Sequence, residues 1–464
     1  MGRRAGGWAG RPRGDGLARV ALGLIGLVLA TATAAAGSPG PPNIVLILAD
    51  DLGPGDLGCT AGPRPRVATP HIDRLAASGT RFDRYYAGAP ICSPSRAALL
   101  TGQYPGRWHI TSFLQDRAGN RGCGQADYLD PRAPSLPRTL RMAGYATGHF
   151  GKWHLGGGRD VHDAPKFAAY GVDEHAGTYE SPEPHPDITS TRWIFAAEDK
   201  VKRWDRSAFF VDHALDFLRR NQLSHRPSFV NVWLDDPHTP WLPGPAAPKG
   251  DTPANLDGVL VEMDRQVGRL VDGVRRLGLA DDTLILFLSD NGPLPPFGDA
   301  RTAGHRGSKL SLYEGGIRVP LIAAWPGHVP AGRVDARTVI AAVDLFPTLL
   351  ALAGVHPDAP PITDGLDRSE AFVPGRALDR PSPLFWEYGR NDAAFKYPGI
   401  ARNRSPQLAV LEGHWKCLVN ADGAGVELYD LDADPVEAVN LAAKHPEVAR
   451  PLADKAVRWR QSLP

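Results

Sequence analysis

The sequence predicts an α/β fold: a large sandwich with a central mixed, mainly parallel sheet flanked by helices, plus a small C-terminal α+β subdomain with an antiparallel sheet. Short, nearly continuous apolar segments alternate with segments of helical periodicity, which is typical of a sheet buried on both faces. After about residue 380 the pattern changes to short alternating segments. We therefore expect a main domain at residues 43–379 and a subdomain at residues 380–464.

Four apolar segments are the predicted strands of the central sheet. They are Ile44–Ala49, Phe229–Leu234, Leu284–Ser289 and Val319–Trp325.

Two helices are predicted between these strands. The first is capped by Ser207 and ends at Arg220, and the second is capped by Asn255. Apolar residues recur three and four positions apart from Leu256 to Leu277, which favours one helix packed on the sheet over a coiled coil.

The subdomain is predicted from three patterns. Gln407–Val419 alternates between apolar and polar residues, Leu428–Asp430 follows a turn, and a final helix begins near Pro446. These patterns indicate a small antiparallel sheet closed by a helix.

Residues 1–36 are predicted to be a secretory signal peptide. They contain five arginines and one acid, then the apolar segment Val20–Ala30 and small residues up to Ala36. The apolar segment is shorter than the ~20 residues that span a bilayer, although an uncleaved N-terminal anchor is the alternative. We expect an exported protein, periplasmic or secreted, with no integral membrane segment after signal removal.

The overall composition excludes two classes of protein. Lys and Arg number 52 against 51 acids, which argues against nucleic-acid binding because that needs a basic face. A content of 42% hydrophobic residues with 11 Trp argues against a disordered chain. The four cysteines allow three complete pairings, and nothing in the sequence selects one.

Acidic and amide side chains follow two predicted strands directly. Asp50 and Asp51 come after the first strand, and Asp290 and Asn291 come after Leu284–Ser289. Ligands of open α/β sheets bind outside the carboxyl ends of the strands. Carboxylates gathered there repel one another unless a cation lies between them, and oxygen ligands favour Ca²⁺ or Mg²⁺ over zinc.

Cationic side chains and one isolated cysteine accompany these acids. Cys92 and Arg96 lie in a Cys-Ser-Pro-Ser-Arg segment at the start of a helical pattern. Cationic groups that face a metal-binding acidic cluster are suited to binding and cleaving an oxyanion ester. Such groups occur at Lys152, His154, His238 and Lys309.

These motifs resemble those of the type I, formylglycine-dependent sulfatases, which are arylsulfatase-like members of the alkaline phosphatase superfamily. Cys92–Gly102 is similar to the family motif Cys-x-Pro-Ser-Arg with its Leu-Thr-Gly continuation, and Gly144–Gly156 is similar to the second motif. The resemblance extends from about Asn43 to the end of the chain. Further matches are Asp50-Asp51, Asp290-Asn291-Gly292, Lys309 with its Glu-Gly-Gly tail, and Glu427–Leu431.

The resemblance implies a sulfatase that hydrolyses a sulfate ester to an alcohol and inorganic sulfate. A maturation enzyme would convert Cys92 to formylglycine (3-oxoalanine), whose hydrate has one hydroxyl to attack sulfur and a second to expel sulfate. One Ca²⁺, rather than Mg²⁺, would be bound. Its ligands would be Asp50, Asp51, Asp290, Asn291 and residue 92.

The resemblance also implies roles for the cationic residues. Arg96 would hold the hydrate and lower the pKa of its attacking hydroxyl. Lys152, His238 and Lys309 would bind the sulfate oxygens. His238 would protonate the leaving alcohol, and His154 would accept the proton of the second hydroxyl.

Two other functions remain as alternatives: a formylglycine-dependent phosphonate or phosphate ester hydrolase, and an inactive sulfatase-like glycan-binding protein. The expected substrate is a sulfated carbohydrate, with an aryl or small alkyl sulfate as the alternative. The sequence leaves open the linkage, endo or exo action, the oligomeric state and the export route. Four tryptophans are candidates to stack on sugar rings: Trp108, Trp153, Trp193 and Trp241.

Overall fold

The computed structural model describes residues 40–61, 66–188, 199–294, 298–389 and 398–464. The predicted signal peptide and Trp193 lie outside these residues. None of the helices in the described ranges has the length and apolar character needed to cross a membrane.

The described residues form strands in three sheets. The strands are β1 (Asn43–Ala49), β2 (Thr80–Phe82), β3 (Tyr85–Tyr86), β4 (Ala146–Gly151), β5 (Glu174–Gly177), β6 (Ser228–Trp233), β7 (Thr283–Ser289), β8 (Leu321–Ala324), β9 (Arg333–Asp335), β10 (Ile340–Ala341), β11 (Leu384–Glu387), β12 (Leu408–Glu412), β13 (Trp415–Val419) and β14 (Glu427–Asp430).

Helices connect and cover these sheets. They are α1 (Pro70–Ala77), α2 (Cys92–Thr101), α3 (Arg117–Gly122), α4 (Leu136–Met142), α5 (Arg206–Leu223), α6 (Pro253–Arg276), α7 (Glu314–Ile317), α8 (Ala342–Leu352), α9 (Ser369–Phe372) and α10 (Pro446–Gln461).

The central sheet has eight strands in the order β5-β4-β6-β1-β7-β8-β2-β9. The strands from β5 to β7 are parallel, β8 is antiparallel to both of its neighbours, and β2 and β9 are parallel. This arrangement confirms the predicted mixed, mainly parallel sheet. It also places the carboxyl ends of β4, β6, β1 and β7 next to one another along one edge.

Strand β1 is buried on both faces because helices cover both sides of the sheet. Ile44, Leu46 and Leu48 belong to an apolar cluster with residues of α2 and α8. Val45 and Ile47 belong to a second cluster with residues of α1, α5 and α6. A strand between two helical layers needs apolar residues at successive positions, which explains the continuous apolar sequence.

The predicted strands are confirmed, with a shorter β8 than expected, but both predicted caps are wrong. Ser207 lies inside the first turn of α5, where its hydroxyl donates to the Asp236 carboxylate. Helix α6 begins earlier than predicted, because the Thr252 side chain accepts from the Asn255 amide at 3.2 Å. Pro253 fits the first turn there because it has no N–H to leave unpaired.

Strands β11 to β14 form the predicted C-terminal antiparallel sheet. One face, including Val410 and Cys417, packs on α10. The other face, including Leu411 and Leu418, belongs to the main core. All four cysteines, which lie within the described ranges, are free thiols. The boundary near residue 380 stays a prediction.

A buried ionic cluster joins this sheet to the main domain. Lys416 Nζ lies 2.9 Å from Glu314 Oε1 and 2.9 Å from Glu437 Oε1. Burial raises the pKa of Glu437 to about 7 and Glu314 raises it further, against the effect of Lys416. Burial also acts to raise the pKa of Glu314, but Lys416 and Arg318 lower it to about 2. One lysine therefore compensates fully for only one of the two carboxylates.

Replacing Glu437 by glutamine is expected to flatten the pH dependence of stability between pH 5 and 8. The folded-state pKa of Glu437 lies above its unfolded value, so its contribution is present at low pH and is lost as pH rises through about 7. The loss in the wild type should be about 1–3 kcal/mol. Thermal unfolding of Glu437→Gln at both pH values, with the exposed Glu447→Gln as control, tests this; parallel wild-type and Glu437→Gln slopes would contradict it.

Candidate active site

Four predicted metal-binding residues meet at the carboxyl edge of the central sheet. Asp50 and Asp51 directly follow β1, and Asp290 and Asn291 directly follow β7. Because β1 and β7 are parallel neighbours, the two pairs lie side by side. The Asp51 amide donates to Asp290 Oδ1 at 3.2 Å, and Asn291 Nδ2 donates to Asp51 Oδ1 at 2.7 Å. Asp51 holds a left-handed conformation (φ 65°), which is uncommon for a residue other than glycine.

Cys92 lies between the acidic cluster and two lysines. It is the first residue of α2, and its Sγ is 3.4 Å from Asp50 Oδ1. Lys152, which directly follows β4, places Nζ 3.6 Å from this sulfur, and Lys309 places Nζ 3.7 Å from it. The same two ammonium groups bind Asp50 at 2.5 Å and Asp51 at 2.7 Å. Any group built on the Cys92 side chain is therefore close to both positive charges.

Arg96 braces the cluster from the next turn of α2. Its side chain is fully buried, and Nε and Nη2 donate to Asp290 Oδ2 at 2.9 and 2.7 Å. Nη1 donates to the Lys152 carbonyl at 2.7 Å, and Nη2 lies 3.6 Å from Asp50 Oδ2. A planar guanidinium can make these contacts together because its donors are fixed in a fork.

The electrostatic surroundings separate the ionisation of Asp50 from that of Cys92. Burial alone would raise the pKa of Asp50, but Lys152, His238 and other cations hold it well below its usual range. Burial, supported by Asp50, raises the pKa of the Cys92 thiol well above its ordinary value, although Lys152 opposes this. The unmodified thiol is therefore protonated at neutral pH and is not a thiolate nucleophile.

His154 is arranged as a neutral base. Burial, Lys152 and Arg96 lower its pKa well below the ordinary value. Its Nε2 lies 3.2 Å from the Leu114 carbonyl, so the proton is assigned to Nε2. Nδ1 then carries a lone pair and has no hydrogen-bond partner among the described residues. This tautomer leaves one ring nitrogen able to accept a proton.

His238 follows β6 and faces Asp51. Nε2 lies 3.5 Å from Asp51 Oδ2, and Nδ1 is 2.6 Å from the Thr239 carbonyl. Burial, followed by Lys309, lowers its pKa to about 3, although Asp51 acts in the opposite direction. The ring is therefore neutral in this state of the protein.

The donor set fits a hard cation. Ligand atoms of Asp50, Asp51, Cys92 and His238 all lie within 4.8 Å of one another. Asn291 Oδ1 is buried and has no hydrogen-bond partner in the described ranges, which is expected of an oxygen reserved for a metal. His238 belongs to this cluster, although the sequence motifs assigned it only to sulfate, and one Asp290 oxygen already pairs with Arg96.

Several buried residues near the site were not found from the sequence. Arg203 donates to Asp235, Asp236 and the His238 carbonyl, and Arg301 donates to Asp56 and to the Asp51 carbonyl. Asp235 and Asp236 directly follow a predicted strand, and this signal could have identified them. The arginines come from long loops, where no periodic pattern marks a residue as buried.

The proposed aromatic platform is largely wrong. Trp153 and Trp241 are completely buried, so they cannot stack on a sugar. Trp108 is partly buried, and its Nε1 donates to Gln103 Oε1 at 2.9 Å. Large aromatic side chains in this chain mainly fill the core, where they bury the most apolar area.

Comparison with known proteins gives matches along most of the chain. Residues 42–355 match the family model named Sulfatase, and residues 307–461 match the model of the C-terminal region of N-sulphoglucosamine sulphohydrolase. The chain is 36% identical to N-acetylgalactosamine-6-sulfatase of Sus scrofa over 377 residues, which cover 76% of this chain and 70% of the relative.

Two further similarities cover more of the chain. N-acetylgalactosamine-6-O-sulfatase of Bacteroides thetaiotaomicron is 29% identical over 89% of this chain and 92% of its own length. The crystal structure of Ps i-CgsB in complex with k-i-k-neocarrahexaose has a TM-score of 0.72 and 26% identity, and the match covers 90% of this chain and 93% of that one.

Proposed function

The chain belongs to the sulfatase family, and we propose from this that it hydrolyses a sulfate ester of a sulfated carbohydrate to an alcohol and inorganic sulfate. The observation that carries the proposal is the position of Cys92, 3.4 Å from Asp50 and within 3.7 Å of both Lys152 and Lys309. The two N-acetylgalactosamine-6-sulfatases support a carbohydrate rather than an aryl sulfate. The comparisons do not favour a phosphonate or phosphate ester hydrolase or an inactive binding protein.

We propose that a maturation enzyme converts Cys92 to formylglycine. The protonated, buried thiol is a poor nucleophile, so this position needs chemical conversion before it can act. When hydrated, a formylglycine supplies one hydroxyl to attack sulfur and a second whose deprotonation releases sulfate. Lys152 and Lys309 are near enough to residue 92 to bind the sulfate oxygens and to stabilise the charge that shifts during transfer.

The two histidines take opposite proton-transfer roles in this proposal. His154 accepts the proton of the second hydroxyl at Nδ1, whose lone pair is left free by the bond from Nε2 to Leu114. His238 donates to the leaving alcohol, so it must first be protonated. A bound sulfate ester adds negative charge and raises the pKa of His238 from its low value in the substrate-free protein.

We propose Ca²⁺ as the cation held by Asp50, Asp51, Asp290 and Asn291 together with residue 92. The side chains present supply mostly oxygen atoms, which suits a cation with six to eight oxygen ligands. The bound cation supplies positive charge that polarises oxygen atoms in the site. Arg96 keeps one oxygen of Asp290 in place beside this cluster.

Removing the cation is expected to stop sulfate release, and Ca²⁺ is expected to restore it at a lower concentration than Mg²⁺. Mg²⁺ demands a smaller and more regular octahedral shell. Sulfate release after EDTA treatment and dialysis, followed by titration with each chloride salt, measures this. Restoration at lower concentration by Mg²⁺ would contradict the assignment of Ca²⁺, while retained activity in EDTA would contradict a metal site.

We also propose that the protein is exported through residues 1–36. The support is the arginine-rich start, the short apolar segment and the small residues that end at Ala36.

Mass spectrometry of the tryptic peptide Tyr85–Arg96, from protein made in its native host, tests the function together with sulfate-release assays. The expected result is a mass deficit that matches an aldehyde in place of the thiol, and this aldehyde should react with a hydrazine reagent. Protein with this aldehyde should release sulfate from sulfated sugars. An alkylatable thiol at Cys92 in the native protein would remove the proposed nucleophile and bring the binding-protein function forward.

A further inference from the structure

A small polar recess lies beside the proposed sulfate site. Asp50, Lys152 and His238 line one part of it. Its other lining residues include two that carry opposite charges, Glu180 and Arg206. Because the recess adjoins the groups that bind sulfate, it is placed to receive the part of the substrate that carries the ester.

Glu180 offers an acceptor with no partner. The residue is 2% exposed, and its Oε1 accepts no hydrogen bond from the described residues. The nearest cationic atoms are His154 Nε2 at 3.6 Å and Arg159 Nη2 at 3.8 Å, both beyond hydrogen-bond distance. A buried carboxylate oxygen without a donor is costly, so this oxygen is expected to meet a donor from a ligand.

Arg206 offers donors in the same recess. The residue is 1% exposed, and Nη1 donates to Asp235 Oδ2 at 3.0 Å. Nη2 is 3.6 Å from Asp199 Oδ2, and neither Nη2 nor Nε makes a hydrogen bond with any described residue. The guanidinium is therefore fixed by one carboxylate and retains unused N–H groups.

Arg203 makes a useful contrast because its terminal nitrogens are already used. Both Nη atoms bind the segment that follows β6, at the Asp235 and Asp236 side chains and at the carbonyls of Asp235 and His238. Arg203 therefore holds this part of the recess and His238 in place. Glu180 and Arg206 instead retain hydrogen-bonding capacity for a ligand.

The charge balance favours an uncharged ligand group. The two arginines are opposed by carboxylates of Asp199, Asp235 and Asp236, and Glu180 adds a carboxylate without a close cation. A second sulfate or a carboxylate on the ligand would meet this excess of negative charge. Hydroxyl and amide groups can donate to one residue and accept from the other without that penalty.

We propose that Glu180 and Arg206 recognise the sugar that carries the sulfate, and that this sugar is otherwise uncharged, such as a neutral hexose or an N-acetylhexosamine. A ring hydroxyl donates to Glu180 Oε1, and a hydroxyl or amide oxygen accepts from Arg206. The inference rests on the proposed function, because the sulfate must lie at Lys152, Lys309 and His238 for the ring to enter the recess.

Equilibrium binding in a Cys92→Ala background tests recognition without turnover. The probes are N-acetylgalactosamine 6-sulfate, galactose 6-sulfate, a galactose disulfate and 4-nitrophenyl sulfate, each measured by calorimetry with Ca²⁺ present. Glu180→Gln is expected to weaken binding of the two monosulfated sugars by about 10- to 100-fold, the range for a hydrogen bond to a charged group. The aryl sulfate should lose less than a tenth as much.

Matched variants separate recognition from folding. Glu183→Gln changes a partly exposed glutamate of the same segment, which lies outside the recess and pairs with Lys166 and His175, and should leave all affinities unchanged. Glu180→Asp, which keeps the charge but shortens the side chain, covers the case in which Glu180→Gln does not fold. Equal losses on sugars and on the aryl sulfate, or no loss on the sugars, would overturn the proposal.

Two further outcomes separate this inference from the proposed function. Tighter binding of the disulfate, or no binding of any neutral sulfated sugar, would overturn the assignment of an uncharged ring. If the binding difference is found but protein with a verified aldehyde at residue 92 releases no sulfate from any probe, the hydrolase function fails and the recognition site stands.

Discussion

Replacing Cys92 by alanine is expected to abolish sulfate release. Residue 92 is the only side chain of the site proposed to carry the nucleophile, and alanine has no atom that can become an aldehyde. Removal of a nucleophile from a covalent mechanism typically costs several orders of magnitude in kcat. Sulfate release measured with saturating Ca²⁺ should fall to the rate of a reaction without enzyme.

Two other cysteines serve as controls for this substitution. Cys123 is buried after α3, and Cys59 is half-buried beside Asp73 and Arg81, so neither belongs to the site. Cys59→Ala and Cys123→Ala should retain activity within a few fold. Equal loss in all three variants would mean that Cys92 has no special role.

Replacing Arg96 by methionine is expected to destabilise the protein and to lower its activity strongly. Methionine retains much of the length but leaves the Asp290 carboxylate buried without its bidentate partner. Breaking a buried ion pair by removal of one partner typically costs about 3–5 kcal/mol. Urea unfolding in EDTA should report this loss, and added Ca²⁺ should recover part of it by neutralising Asp290.

The destabilisation by Arg96→Met should grow as pH rises. Burial, followed by Asp50, already raises the pKa of Asp290 to about 6 against the effect of Arg96, and loss of the arginine raises it further. A carboxylate with a raised folded-state pKa favours the folded protein at low pH and loses this contribution as pH rises through that pKa. The loss relative to wild type should therefore be smaller at pH 5 than at pH 8.

An exposed arginine pair provides the matched control. Arg107 donates to Asp364 with a similar fork, but its side chain is 42% exposed. Surface ion pairs contribute about 0–1 kcal/mol, so Arg107→Met should change stability little. If both arginine variants lose the same stability, burial of the Arg96–Asp290 pair does not explain the effect.

The sequence determined the central sheet and the residues at its strand ends. Continuous apolar segments predict buried strands because both faces of β1 must be covered. Polar residues placed directly after such strands have to lie at one edge of the sheet, which is why Asp50, Asp51, Asp290 and Asn291 could be grouped. Cys92 and Arg96 were found through a motif, since they lie in consecutive turns of one helix.

Only the tertiary structure decided which distant loop residues complete the site. Glu180, Arg203 and Arg206 come from a long stretch without periodicity, so nothing local in the sequence marks their burial or their facing partners. The helix caps were also decided by context, because the Ser207 hydroxyl is drawn to Asp236 instead of to its own helix. Local periodicity reports which face of a strand or helix is buried, whereas the partner of a buried charge depends on contacts between residues far apart in the chain.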